Sequence, residues 1–249
     1  MSKIDYLIAN ETSIISIDLI HGGQFVTPDD SLYSFKIVDS EGNTIYSLEG
    51  LTVPDAAKDK AIIDIPSEYN VLNEGSLFED RFIVVTFNYQ LSQRRIKKHF
   101  RLIEEPVFTA SVEDVRNIYG INEGELPDED LDMTEVYLML VESKGEIFKN
   151  ALKSNNRANF RANRAIALQG ALNIFTSLRL RIAESEKSGT NTFLRNLKNI
   201  DWEGLRAELE NELIGLLEDI TGEAVSYIDN YSPIVIGVRS PDAITGSEG

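Results

Sequence analysis

The side chains with the widest chemical range are scarce in this chain. It has no cysteine and only two histidines, His21 and His99, among 249 residues. Without cysteine there are no disulfides, thiolate metal sites, iron–sulfur clusters or thiol nucleophiles. Two histidines leave little for a transition metal. His21-Gly22-Gly23 has the form of an oxyanion loop, yet no Gly-x-Ser-x-Gly accompanies it. A strand end before a glycine turn explains the same residues. His99 lies among basic residues on a strand-like run and is expected to be solvated.

Carboxylates are the abundant chemistry, with 41 Asp and Glu. Asp128, Asp130 and Asp132 have the opening spacing of a calcium loop. Its sixth position would be Met133 where Gly is needed, and its twelfth Met139 where a bidentate Glu is needed. Carboxylates favouring a helix N-terminus are the plainer explanation. The chain has no P-loop, no dinucleotide fingerprint, no nucleophile elbow and no zincin pair. The expectation is a protein without catalytic residues, metal or cofactor.

The 24 Lys and Arg leave a net charge of −17. That acidity opposes phosphate-driven binding of nucleic acid and favours solubility. No segment approaches the roughly 18 apolar residues of a membrane span. The first residues lack the basic and apolar regions of a signal peptide, so a soluble, reducing compartment and no membrane are expected.

The charges are unevenly placed. Glu123, Glu125, Asp128, Glu129, Asp130, Asp132 and Glu135 form a run without a base. Lys149, Lys153, Arg157, Arg161 and Arg164 lie in a stretch without an acid, and the first four recur every four residues. On an unbroken helix they would form one ridge, although Ser154-Asn155-Asn156 can interrupt it. Two readings stand: a solvated face, or a surface that meets the acid run of a neighbouring copy. Opposite patches on one chain suit a head-to-tail ring. Phosphate binding by the ridge is a third reading, disfavoured by the overall acidity. Arg95, Lys97, His99 and Arg101 alternate along the last strand-like run and form a second basic face, expected on a solvated edge strand.

The elements behind these residues change period midway. From residue 12 to about 104, short alternating runs such as Ser13–Ile20, Tyr33–Val38, Ala61–Ile65, Arg81–Tyr89 and Arg94–Leu102 are separated by Gly, Pro, Asn and Asp turns. Residues 1–105 therefore read as an antiparallel β-sandwich of immunoglobulin-like architecture. After Glu104-Glu105-Pro106 the period becomes 3.6. Ser111 caps a short helix that Gly120 ends. Helices are expected over about 128–153, with Val136, Leu140, Ile147 and Ala151 inward, and over 157–186, with Phe160, Leu168, Ala171, Phe175, Leu178 and Ile182 inward. Asp201 caps a third, with Leu205, Leu209, Leu213, Leu216 and Ile220 on one face. A loop is expected over 188–192. The α+β chain thus reads as a β-domain over 1–105, a helical domain over 106–222 and an extended tail over 223–249.

Val112-Glu113-Asp114-Val115-Arg116-Asn117-Ile118-Tyr119-Gly120, then Leu126-Pro127-Asp128-Glu129-Asp130 entering a helical bundle, then Val238 to Gly246, form a sequence of parts. It resembles the head–tail connector (adaptor) proteins of tailed bacteriophages. Residues 111–222 carry most of the resemblance, and the β-domain looks like an addition found in only some connectors. The resemblance implies a structural virion protein, assembled in the host cytoplasm, that forms a ring, commonly of twelve copies, at the head–tail interface. Its partners would be the portal and the tail or neck proteins, and DNA would pass through the lumen without specific binding. The C-terminal segment would dock on the portal or a neighbour, and its run Ile234, Val235, Ile236, Val238, Arg239 has the character of an added strand. A disordered tail is the alternative reading of that segment. In another class stands a phage tail or baseplate protein whose β-sandwich binds a glycan or receptor. That reading wants exposed aromatics, whereas Trp202, the only tryptophan, falls on an expected helix.

Overall fold

The computed structural model describes residues 5–187 and 201–222. The chain has an N-terminal region of sheet followed by helices, and divides into two compact units between Pro106 and Val107. The loop expected over 188–192 and the tail expected over 223–249, with Ile234, Val235, Ile236, Val238 and Arg239, lie outside the described residues.

The first unit contains β1 (Asp5–Ile8), β2 (Ser13–Asp18), β3 (Ile20–His21), β4 (Gln24–Phe25), β5 (Leu32–Val38), β6 (Thr44–Thr52), β7 (Lys60–Ile65), β8 (Phe78–Tyr89) and β9 (Ser92–Ile103). A five-stranded sheet runs in the order β1-β9-β8-β5-β6, and β2-β7 and β3-β4 form two ribbons. Alternation decides which side chains go inward. Ile15 and Ile17 of β2 are buried while Ile14 between strand start and core is 71% exposed. These isoleucines, with Ile63 and Ile65 of β7, share one core with Phe35, Ile37, Ile83, Val85, Phe87 and Phe100 of the large sheet.

Two features differ from the sequence expectation. β1 lies before the region read as strands, and it pairs with β9 in parallel rather than antiparallel. β9 is consequently interior, between β8 and β1, not an edge strand. Tight turns join the antiparallel neighbours β5–β6 and β8–β9. Asp39 accepts hydrogen bonds from the backbone of Glu41 and Asn43 to close the β5–β6 turn. Gln90 and Leu91 turn β8 into β9, both with positive φ.

The second unit contains α1 (Val112–Tyr119), α2 (Met133–Lys144), α3 (Glu146–Lys153), α4 (Arg157–Lys187) and α5 (Trp202–Thr221). Its caps follow the sequence signals. Ser111 and Asp114 form a reciprocal capping box, and Gly120 ends α1 in the left-handed conformation. The Asp201 carboxylate accepts from Gly204 N at 3.0 Å. A Cβ on Gly204 would stand 2.5 Å from that carboxylate, so a larger residue there would make the Asp201 side chain shift. α4 is the spine, packed by each of the other four helices. Its small residues, Ala162, Ala165, Ala167, Gly170 and Ala171, permit that close approach, and all are buried. At Gly170 an added Cβ would lie 3.3 Å from Leu131 and from Val115.

The helix expected over 128–153 is two helices. Pro127 is followed by a 3₁₀ turn, Asp128–Asp130, and α2 begins only where Asp132 accepts from Thr134 N and Glu135 N. Gly145, at φ 67° and ψ −157°, then breaks α2 from α3. The break resets the helical phase: Ile147 is 46% exposed and Phe148 takes the buried place. Phe160 is also outward, at 71% exposure. It shares a face of α4 with Leu178, but that face is covered only toward Leu178. On α5 the buried leucines are Leu209, Leu213 and Leu217, not Leu216.

Candidate functional site: the charged surfaces

The basic residues read as one ridge fall on two helices. Asn156 accepts from Ala158 N and from Ser154 Oγ, starting α4 afresh after α3 has ended at Lys153. Lys149 is buried, with Glu146 3.6 Å away. Lys153 and Arg157 are exposed on either side of the break. Arg161 pairs with Asp219 at 3.0 Å, and Arg164 makes a two-pronged contact with Glu212 at 2.8 and 3.2 Å. Arg179 meets Glu203 at 3.0 Å. The α4 cations thus fasten α5 of the same chain, with Phe175 and Trp202 in edge contact beside them.

The acid run is built into a fixed loop. Arg116, buried on α1, donates from Nε to the Leu126 carbonyl at 2.9 Å, from Nη1 to Glu113 at 3.1 Å and from Nη2 to Asp128. Asn122 and Glu125 exchange backbone-to-side-chain hydrogen bonds at 2.9 and 3.2 Å. Asp132 caps α2. Asp130 also has a partner of its own. Glu123 and Glu129 are left pointing to solvent from a loop that the others hold. The calcium-loop spacing of Asp128, Asp130 and Asp132 is therefore resolved into a ligand for Arg116, a member of a 3₁₀ turn and a helix cap.

The β9 face is the third charged surface. Lys97 Nζ sits 3.6 Å from the centre of the Phe82 ring, and His99 stacks on the same ring at 5.0 Å. His99 is half-buried rather than solvated, because β8 and β9 place Phe82 directly opposite it. Asp80 accepts from His99 Nε2 at 2.9 Å and from Arg101 Nε at 2.8 Å. Partial burial works to raise the Asp80 carboxyl. The hydrogen bonds and charges of Arg101 and His99 outweigh it and hold the group below the usual carboxylate range. Arg95 on β9 and Lys36 on β5 are exposed on the same side of the sheet.

Sequence reading missed two structural arginines. Arg81 is only 4% exposed, on the inward side of β8 opposite Phe100. It donates to the carbonyls of Tyr69 and Val71, both at 2.6 Å, and to Glu79 at 2.7 Å. A lone arginine at the head of an apolar strand was the available signal. Arg116 carried a similar one, a cation on the inward face of a short helix.

His21 stands at the end of β3, before a glycine turn. Gly22 and Gly23, both at positive φ, form the two-residue turn between β3 and β4, and the imidazole lies 5.6 Å from the Tyr89 ring. Among the described residues no group of three or more His, Asp or Glu is placed to hold a metal ion, and no helix is long and apolar enough to cross a membrane. What the arrangement offers is charge held in fixed positions on both units. Comparison with protein-family models, curated proteins and solved structures finds no match to this chain.

Proposed function

We propose that the chain is a ring-forming structural adaptor between the portal and the tail or neck of a tailed bacteriophage. Its work is mechanical: it extends the DNA channel and needs no cofactor or catalytic residue. One observation supports this reading above the rest. The two segments that carry the resemblance, Val112–Gly120 and Leu126–Asp130, are separate in sequence, and Arg116 of the first binds Leu126 and Asp128 of the second. They therefore act as one device, a capped helix with an acid loop locked to it. A subunit that must repeat one contact around a closed ring needs a loop of fixed shape.

The same proposal takes the first unit as a sandwich of immunoglobulin-like architecture. The core shared by the β2-β7 ribbon and the large sheet supports this. The net charge of −17 supports a lumen that repels phosphates and lets DNA slide. Ile234 to Arg239 are proposed as the segment that docks on the portal.

The test is the native mass of the purified chain, alone and mixed with a portal, followed by imaging of any ring. A closed ring that binds the portal is expected. A persistent monomer that ignores the portal overturns the reading, and glycan binding by that monomer would favour a tail receptor-binding protein.

A further inference from the structure

We propose that the β9 face of the first unit docks the acid loop of a second copy of this chain. This contact rests on the ring-adaptor reading and names the surfaces that join neighbouring subunits.

The first unit is acidic, with seventeen Asp and Glu against ten Lys and Arg over residues 2–106. Five of those ten cations nevertheless lie between Arg94 and Arg101, and no acid occurs from Arg81 to Ile103. Strand alternation puts Arg95, Lys97, His99 and Arg101 on one face, spaced about 7 Å apart. Lys36 joins them, because Lys36 and Lys97 both pair with Val84, from opposite sides. Asp80 occupies the Arg101 end. Arg95, Lys97 and Lys36 remain exposed, and no ion pair engages them among the described residues. The Lys97 ammonium rests over the face of the Phe82 ring, which fixes its place on this side of the sheet.

The complementary surface is the loop over 121–132, which has acids and no base. Arg116 and the Asn122–Glu125 exchange hold it in shape, and Glu123 and Glu129 are exposed. Of the helical cations, Arg161 and Arg164 are already engaged by Asp219 and Glu212 of their own chain, and Lys153 and Arg157 stand on either side of the break between α3 and α4 instead of on one strand face. Nucleic acid fits the β9 face less well. Lys97 and His99 already cover Phe82, which removes the stacking platform that single strands use. The overall charge also repels a polyphosphate. A short, preformed loop brings only a few negative charges to a matching number of cations. Since the two patches differ, the contact is head-to-tail and closes into a ring when the rotation allows.

Sedimentation of the full chain tests this. Arg95→Glu with Lys97→Glu, and separately Glu123→Lys with Glu129→Lys, are expected to weaken self-association about tenfold or more at low salt. A chain carrying all four changes restores the charge match and is expected to reassociate, as is an equimolar mixture of the two double variants. Unchanged association of the Arg95/Lys97 variant overturns the contact, as does failure of the fourfold variant to recover. Tight binding of a short single-stranded DNA, lost on reversing Arg95 and Lys97, overturns it in favour of a nucleic-acid face. If the wild type assembles with a portal while the Arg95/Lys97 variant does so equally well, this contact fails and the adaptor reading stands. A wild type that stays monomeric overturns both.

Discussion

Arg116 Nε lies 2.9 Å from the carbonyl oxygen of Leu126, ten residues further along the chain. That bond, with the Asp128 contact beside it, makes a helix and the following loop one rigid piece. Arginine suits the place because its planar fork serves a carbonyl and two carboxylates together, which a lysine point charge cannot. Arg116→Lys is therefore expected to behave almost as Arg116→Ala. Both should lower the thermal midpoint by several degrees and raise amide exchange across 121–131, while exchange in α4 stays slow. Full protection of that loop in Arg116→Lys would contradict the clamp.

Gly145 separates α2 from α3 at φ 67° and ψ −157°. Space is not the constraint, since an added Cβ would meet nothing within 4 Å. The constraint is backbone, because that region belongs almost to glycine alone. Gly145→Ala is expected to cost about 1–3 kcal/mol in urea unfolding. Gly222, at φ 69° and ψ 11°, occupies the milder left-handed region. Gly222→Ala is expected to cost less, about 1 kcal/mol. Equal costs would show that the Gly145 conformation is not enforced.

The Gly145 break also shows what the sequence can and cannot reveal. Periods of two and 3.6 mark the sheet region and the helices, and single-residue signals at Ser111, Gly120 and Asp201 mark real caps. Those signals are local. A glycine inside an apolar helical pattern is equally compatible with a continuous helix, and on a continuous helix the spacing turns Ile147 inward in place of Phe148. The four-residue spacing from Lys149 to Arg161 likewise carries no record of the turn at Ser154–Asn156, nor of the α5 acids that return to meet Arg161 and Arg164. The parallel β1–β9 pair joins chain segments about a hundred residues apart by register alone. Charge reversal at Arg161 and Arg164 would consequently disturb α5 within one chain, so it cannot by itself report on contacts between copies.

The β8–β9 turn is a place where the sequence opposes its own backbone. Gln90 and Leu91 have φ values of 53° and 58°, and the Leu91 side chain is fully exposed. A two-residue hairpin turn of this kind favours Asn-Gly. Leu91→Gly alone relieves one left-handed residue, and Gln90→Asn adds a residue that tolerates the same region. The double change is expected to stabilise the first unit by about 1 kcal/mol, seen as a higher urea midpoint with an unchanged slope. A lower midpoint would mean that Leu91 makes a contact worth more than its strain.

Arg81 fastens the segment after β7 to the sheet through the carbonyls of Tyr69 and Val71. Removing the guanidinium takes the donor from those carbonyls and leaves the mostly covered Glu79 with Asn73 N as its remaining donor. Arg81→Met keeps the apolar stem and loses the donors. It is expected to cost about 2–4 kcal/mol in denaturant unfolding. Glu79→Gln, which keeps an acceptor for Arg81, should cost less. A neutral Arg81→Met would show that water replaces the lost donors.

Asp80 supplies a pH dependence whose sign follows from its contacts. Burial alone would raise its carboxyl, but Arg101 and His99 hold it lower. A carboxyl whose folded value lies below its unfolded value binds its proton more readily when the chain is unfolded. Its contribution is therefore complete above the unfolded value, about 3.9, and disappears as pH falls through the lower folded value. The side chain is one-third exposed, at 34%, so solvent screening keeps the gain small. Asp80→Asn is expected to be less stable than wild type at neutral pH by no more than about 1 kcal/mol. The two proteins should converge as pH falls below about 3.9. Chemical denaturation at neutral pH and across the acid range measures this difference directly. A gap that persists undiminished in acid would mean that the asparagine harms packing, and that the charge on Asp80 contributes nothing to holding Arg101 and His99 over the β8–β9 face.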